Sequence, residues 1–433
     1  MRAVLLASGQ SSRFAPLENK MALPFCGQPL MAWQVQQLLN HGFDELFVIY
    51  GQHNEVELRE IASEWPIKLI KFVEQENLAD GMAGAMESLA KAYPDNEGFL
   101  LISTNDIVAD TALTDLAKSI KTDPTQSLIL AQQLPEGEYF PGGYLEVEAD
   151  HRISKIVEKP GAGNQPSDLI NLVYHYHAEP SKLWAALKQV KAHPDEHYER
   201  ALQQMFDQGQ SYFAVNYRGP WQALKYPWHV LDMARLIFER LTPQISSQAE
   251  VHPSAIIQGQ VHLEAGVKVL ANAVIVGPSY IGENTIVANG ALVRDSYIGP
   301  DCVIGYNTEV ARSYLKGEVW THTNYIGDSI IGQNVSFGAG TITGNLRLDE
   351  GEITVTIKGE KIMTGRQKLG LITGDNIRVG INTSLMPGVK LGSNSMIGAH
   401  LMIAEDIPAN SYVVGEKPVL SIKENKSSIK KRD

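Results

Sequence analysis

Cysteine is almost missing from this chain: Cys26 and Cys302 are the only two in 433 residues. Two thiols so far apart make neither a disulfide framework nor a zinc-ligand spacing, which excludes a disulfide-stapled module and fits a reducing cytoplasm. Long apolar runs are missing too. None approaches the roughly 18 residues that a membrane-spanning helix needs. The apolar start, residues 3–7, is too short for a signal peptide and runs straight into a Gly/Ser loop. Positive charge is in deficit: 37 Lys and Arg against 49 Asp and Glu leave a net charge of −12. Such a chain lacks the basic field that neutralises nucleic acid, so nucleic acid is not an expected partner, and without a spanning run neither is a membrane. Phosphorylated small molecules remain open, because a few local cations suffice for them.

What is present is a period. An aliphatic residue recurs every sixth position at Val251, Ile257, Leu263, Val269, Ile275, Ile281, Val287 and Val293. The count slips once and resumes at Ile298, Ile304 and Val310, then at Ile331 and Phe337, then from Val379 through Leu385, Leu391, Ile397 and Ile403. A helix needs a period of 3.6 and a plain strand a period of 2, so a sustained six is neither. One rung is being repeated, each burying its apolar residue against the rungs above and below. The expected rung is a short strand and a tight turn, three rungs closing one triangular coil. Residues 346–366 lose the phase and are charged and alternating, so they are expected to stand out from the coil as a loop or hairpin. The repeat resembles the left-handed parallel β-helix of the hexapeptide-repeat acyltransferases. A β-helix that only spaces or oligomerises would show the same period, so chemistry must rest on other residues.

The first half reads differently. Strand-like segments (2–7, 45–50, 68–73, 99–103) alternate with helix-like ones (30–40, 55–65, 81–92), and 227–239 reads as a closing helix. Such alternation predicts an α/β, Rossmann-like domain with a largely parallel sheet, whose ligands sit beyond the carboxyl ends of the strands. The expected organisation is an α/β domain over 1–241, a polar linker over 242–250, the β-helix over 251–422, and a flexible basic tail over 423–433.

At the first strand end stand Ala7, Ser8 and Gly9, then Arg13 and Lys20. Small residues let backbone N–H groups close on phosphate oxygens, and an arginine adds charge-assisted hydrogen bonds. A plain strand-to-helix turn would look similar. The longer string, L-A-S-G-x-S-S-R-F followed by K-x-x-L-P-F-x-G-x-P-L, is more specific and resembles the signature of the sugar-1-phosphate nucleotidylyltransferases. The resemblance implies that Ala7, Ser8, Gly9, Gln75 and Gly81 face the nucleotide, that Arg13 and Lys20 hold its phosphates, and that Asp106 holds Mg²⁺. It implies that Gly143, Glu158, Lys159 and Asn171 hold the sugar phosphate. The partners would be a nucleoside triphosphate (UTP or dTTP) and a sugar-1-phosphate, with pyrophosphate leaving. One departure is plain. Where relatives place a second metal-binding Asp in a W-x-D segment, this chain has Trp221-Gln222-Ala223.

In the second half, the stretch from Trp320 through His322 and Tyr325 to Asp328, followed by Gly338 through Asn345, resembles the acetyltransferase half of bifunctional enzymes that make UDP-N-acetylglucosamine. Archaeal-type members are the best match, through Asn345-Leu-Arg-Leu and Thr364-Gly-Arg366-Gln-Lys368. The resemblance implies acetyl-CoA as co-substrate, His322 as general base, and Arg312, Tyr325, Asn345, Arg366 and Lys368 around the acetyl site. It also implies a homotrimer built through the β-helix. Ala311 and Ser336 stand where relatives usually carry Lys and Asn. Two other readings stay open: an acetyltransferase alone, and a non-catalytic scaffold that binds a nucleotide sugar.

Overall fold

The computed structural model describes residues 1–66, 68–93, 96–135, 137–194 and 196–415. The expected tail, 423–433, lies outside the described residues.

Residues 2–217 build a nine-stranded mixed sheet covered by helices. Four of its strands run parallel in the order Phe99–Ser103, Arg2–Leu6, Glu45–Tyr50, Ile70–Glu74. The inner three are nearly unbroken apolar runs because helices cover both faces, while the edge strand Ile70–Glu74 alternates. Leu169–His177 then pairs antiparallel with Phe99–Ser103, Ser127–Gln133 and Gly143–Val147, which turns the sheet from parallel to mixed. The helices Leu30–Asn40 and Gly81–Ala92 have the expected bounds, while Glu55–Ala62 stops short of the expected 65.

The second half is a coil of parallel strands. Ile257 lies beside Ile275, Ile275 beside Val293, Val293 beside Val310, and Val310 beside Ile326. All of these except the partly exposed end residue Ile257 are buried in one apolar cluster running along the coil axis. The Gly, Asn and Asp places between them are corners. Asn284, Asn307, Asn382 and Asn394 sit there with φ between 50° and 60°, which asparagine tolerates better than other side chains. Residues 346–366 leave the coil as expected. Thr354–Ile357 and Glu360–Met363 form an antiparallel hairpin, and Thr343 pairs directly with Leu385 across the gap.

One expected boundary needs correction. The coil begins inside the expected linker: Gln244–Ile245 already pairs with His262 and Leu263, because polar residues can pair their backbones at an exposed coil end. One side of the coil is covered by the α/β half. Tyr280, Tyr297 and Tyr314 stack up one face with ring centroids 5.3 and 4.7 Å apart, all buried. That face packs on the Pro24–Pro29 hairpin of the α/β half, where the Tyr314 hydroxyl donates to the Pro24 carbonyl at 2.8 Å. Gly27 has φ +79°, and a Cβ there would lie 2.9 Å from the Tyr280 hydroxyl. One apolar cluster therefore runs from Phe25, Leu30 and Trp228 to Tyr297, Ile353 and Ile372, joining the two halves.

Candidate active site

The loop after Arg2–Leu6 opens at the carboxyl edge of the parallel strands. Ala7 is tied by its N–H to the Ile49 carbonyl and by its carbonyl to the Asn54 amide, each at 2.8 Å. Beyond it, Gly9 has no atom within 4 Å of where a Cβ would be, leaving the loop bare. Gln75 is buried and used internally. Its amide oxygen accepts from the Ser8 hydroxyl, and its nitrogen donates to the Asn77 and Gly81 carbonyls at 3.1 and 2.8 Å. Gln75 thus joins Ser8 to Gly81 as a brace. Both of its amide N–H groups are used by these two carbonyls, which fixes the side chain beside Ser8 and Gly81. Gly81 adopts φ +56° at the start of its helix, a turn suited to glycine.

Asp106 opens the short strand Asp106–Val108 rather than capping a helix. Its backbone carbonyl accepts from the Gln34 amide and the Tyr174 hydroxyl, both at 3.0 Å. Its carboxylate accepts from the Trp221 indole at 2.9 Å. Burial pushes the carboxyl pKa up, and Trp221, Ser103 and the cations Lys225 and Lys20 pull it back. Lys20 is itself buried, which lowers its pKa to about 8 against the pull of Asp106, with Arg13 and Lys225 repelling it. Arg13 is exposed at the loop rim. A buried ammonium short of water is poised to accept an anion.

The expected sugar residues also converge. A Cβ on Gly143 would lie 3.0 Å from the Glu158 carboxylate and 3.2 Å from the Asn171 amide nitrogen, so the missing side chain keeps both groups uncovered. Lys159 reaches Glu158 at 3.2 Å and stands in the left-handed region at φ +45°. The amide oxygen of Asn171 is held by His175, which continues through Tyr198 and His177 to Tyr212 in contacts of 2.7 to 2.9 Å.

The W-x-D departure can now be placed. Trp221–Ala223 runs antiparallel to Asp106–Val108 with Ala223 directly opposite Asp106. The missing carboxylate would have faced the one that remains. Among the described residues, no three His, Cys, Asp or Glu gather as a metal cluster. The donor set therefore fits an ion that arrives on a triphosphate and takes one carboxylate oxygen, and does not fit an ion held by protein alone. Lys225, two residues beyond Ala223, was not among the expected site residues. Its pKa is lowered to about 8 by burial, offset by Asp106 and Glu158.

On the coil, the structure divides the expected acetyl residues. Arg312 makes a bidentate pair with Asp328 at 2.7 Å, and Asn345 donates to Asp328 and to the Tyr325 hydroxyl. Asp328 thus joins Arg312 to Asn345, and Asn345 carries the link on to Tyr325. Arg366 turns away to pair with Asp232 on the helix His229–Phe238 of the other half, although it lines the same cavity as Arg312 and Asp328. Lys368 is exposed, and His322 stands exposed at a coil corner. Neither is drawn into the Asp328 group.

A family model described as Nucleotidyl transferase matches residues 2–224. The chain is 30% identical to the bifunctional protein GlmU of Methanococcus vannielii, over 98% of this chain and 100% of that protein. It is 31% identical to the protein of the same name in Methanocaldococcus jannaschii, over 95% and 97%. It is 27% identical to a bifunctional sugar-1-phosphate nucleotidylyltransferase/acetyltransferase of Sulfurisphaera tokodaii, over 94% and 98%.

Proposed function

The chain belongs to the nucleotidyl transferase family, and from that premise we propose that it joins a nucleoside triphosphate to a sugar-1-phosphate and releases pyrophosphate. The carrying observation is the gathering of Lys20 and Lys225, with Arg13 beside them, about half-buried Asp106, whose carboxylate is held by the Trp221 indole. A phosphate oxygen of the sugar-1-phosphate attacks the α-phosphorus and supplies its own nucleophile. The protein's task is then to position two polyanions and neutralise their charge. Ser8 and Gly9 offer backbone to the triphosphate, with Arg13 and Lys20 on its outer phosphates. Gly143, Glu158 and Asn171 take sugar hydroxyls, and Lys159 takes the sugar phosphate. Asp106 would hold magnesium brought in by the nucleotide, and that ion would neutralise phosphate charge.

The coil supports a second activity, acetyl transfer from acetyl-CoA to an amino-sugar phosphate. The Arg312–Asp328–Asn345–Tyr325 group is a fixed polar cluster, and Arg312 and Asp328 also line a small cavity against the helix His229–Phe238. His322 would take the amine proton, a task for a group near neutrality. The same reading makes the protein a cytoplasmic homotrimer. No helix among the described residues is long and apolar enough to cross a membrane. Exposed Trp320, Met396 and Tyr412 on one open coil face, and Ile342 and Met402 on the other, are apolar surface suited to another copy.

The test crosses UTP, dTTP, GTP and CTP with glucose-, N-acetylglucosamine-, glucosamine- and mannose-1-phosphate, with Mg²⁺, and reads pyrophosphate. Release with a defined pair names the substrates. Silence across the matrix in folded protein, with thiol release from acetyl-CoA, would leave an acetyltransferase alone.

A further inference from the structure

Lys225 follows a strand whose partner is the metal-facing segment. Leu224 N–H donates to the Asn105 carbonyl at 2.7 Å, extending the pairing one residue past Ala223 and Asp106. The chain then turns, and the Lys225 N–H donates to His229 Nδ1 at 3.2 Å. Its side chain lies over the Phe140 ring, with the ammonium 4.4 Å from the centroid and donating to the Pro141 carbonyl. Pro141 leads into Gly142 and Gly143, where Glu158 and Asn171 are left uncovered. The ammonium thus stands between the Asp106 side of the site and the sugar-phosphate side, within electrostatic reach of Asp106, Glu158, Lys159 and Arg13. One carbonyl occupies one of its three N–H donors.

Resting on the transferase reading above, we propose that Lys225 is a phosphate-binding residue placed where the sugar phosphate meets the α-phosphate. It supplies positive charge directly where relatives carry a second metal-binding carboxylate. Ala223 and Lys225 are then two parts of one exchange. Losing the carboxylate opposite Asp106 removes an ion-binding group, and a fixed ammonium two residues on restores positive charge beside Asp106. The reaction is unaltered in its balance. The sugar-phosphate oxygen forms the new bond to the α-phosphorus, the bond to the bridging oxygen of the β-phosphate breaks, and pyrophosphate leaves with that electron pair. Lys225 transfers no proton and forms no bond. It lowers the repulsion between the two anions as they approach.

Full-length Lys225→Ala and Lys225→Arg are compared with the unaltered protein by steady-state kinetics and by calorimetric binding of UDP-N-acetylglucosamine and of pyrophosphate in EDTA. The expected result for Lys225→Ala is at least a tenfold rise in KM for the sugar-1-phosphate with a fall in kcat. Binding of both probes without metal should weaken about tenfold, and Lys225→Arg should recover most of each loss. KM, kcat and metal-free binding all within twofold of the unaltered protein would overturn the proposal. Should Lys225→Ala fail to fold, Lys225→Gln keeps the stem over Phe140 and carries the same expectations. An unaltered protein that releases no pyrophosphate but loses probe binding on Lys225→Ala would sink the transferase reading and leave the Lys225 assignment standing. Turnover insensitive to Lys225 would do the reverse, and neither turnover nor binding would sink both.

Discussion

Glu199→Gln should stabilise the folded protein at alkaline pH and several-fold less at pH 5. Glu199 lies on the helix His197–Asp207, is 8% exposed, and lines a cleft of about 550 Å³ that it shares with Glu158. Burial, then the neighbouring Glu158 charge, push its carboxyl from 4.5 up to about 8, with Lys159 pulling back and Glu196 adding to the rise. A raised carboxyl holds its proton in the folded state while the unfolded chain has already lost it. Stability therefore falls as pH rises from about 4.5 through about 8 and stays at its lower value above that. The gap between those values, at about 1.4 kcal/mol per pH unit, sets a ceiling of about 5 kcal/mol. Water entering the open cleft relaxes part of this, so a realised gain of about 2 kcal/mol is expected for the neutral isostere at pH 8.5. Urea unfolding of both proteins at pH 5 and pH 8.5 reads the difference. A gain equal at the two pH values, or none at either, would refute the reasoning.

Leu315→Ala, in the fully buried coil core, should cost about 2–5 kcal/mol by urea unfolding. Cys302 is fully buried with its thiol pushed up to about 12, so iodoacetamide should label it only as fast as the protein unfolds. Lys20→Ala should raise KM for the nucleoside triphosphate by about tenfold, since a buried charge-assisted contact is worth about 1.5–3 kcal/mol. Light scattering at micromolar concentration should give the mass of three chains; a monomer would contradict an interface on the open coil faces.

Much of this fold is legible because its periods are local. The six-residue period marks the inward positions, and each rung buries its aliphatic residue against the next coil. The outward positions carried a signal that counting aliphatics overlooks. Tyr280, Tyr297 and Tyr314 each precede an inward residue, and a tyrosine once per coil marks a covered face. The site was legible where spacing brings residues together in one loop or at strand ends, as with Ser8, Gly9, Lys20 and Asp106. Contacts made across the two halves were not. Arg366 is drawn to Asp232 because the hairpin folds back on the α/β half, and no local pattern records that. Lys225 was missed for a similar reason, since a lysine after a strand reads as solvated until Phe140 and Pro141 are brought beneath it. The brace that Gln75 forms with Ser8, Asn77 and Gly81 is likewise a contact between separate segments that the motif does not record.

Pyrophosphate release by the unaltered protein and by Asp106→Ala, with UTP, N-acetylglucosamine-1-phosphate and Mg²⁺, tests the central claim most directly. That claim is that one carboxylate opposite Ala223, flanked by fixed cations, suffices for nucleotidyl transfer. The account predicts steady release that Asp106→Ala reduces at least a hundredfold. Release unchanged by Asp106→Ala, or no release from folded protein with this or any other nucleotide–sugar pair, would contradict it.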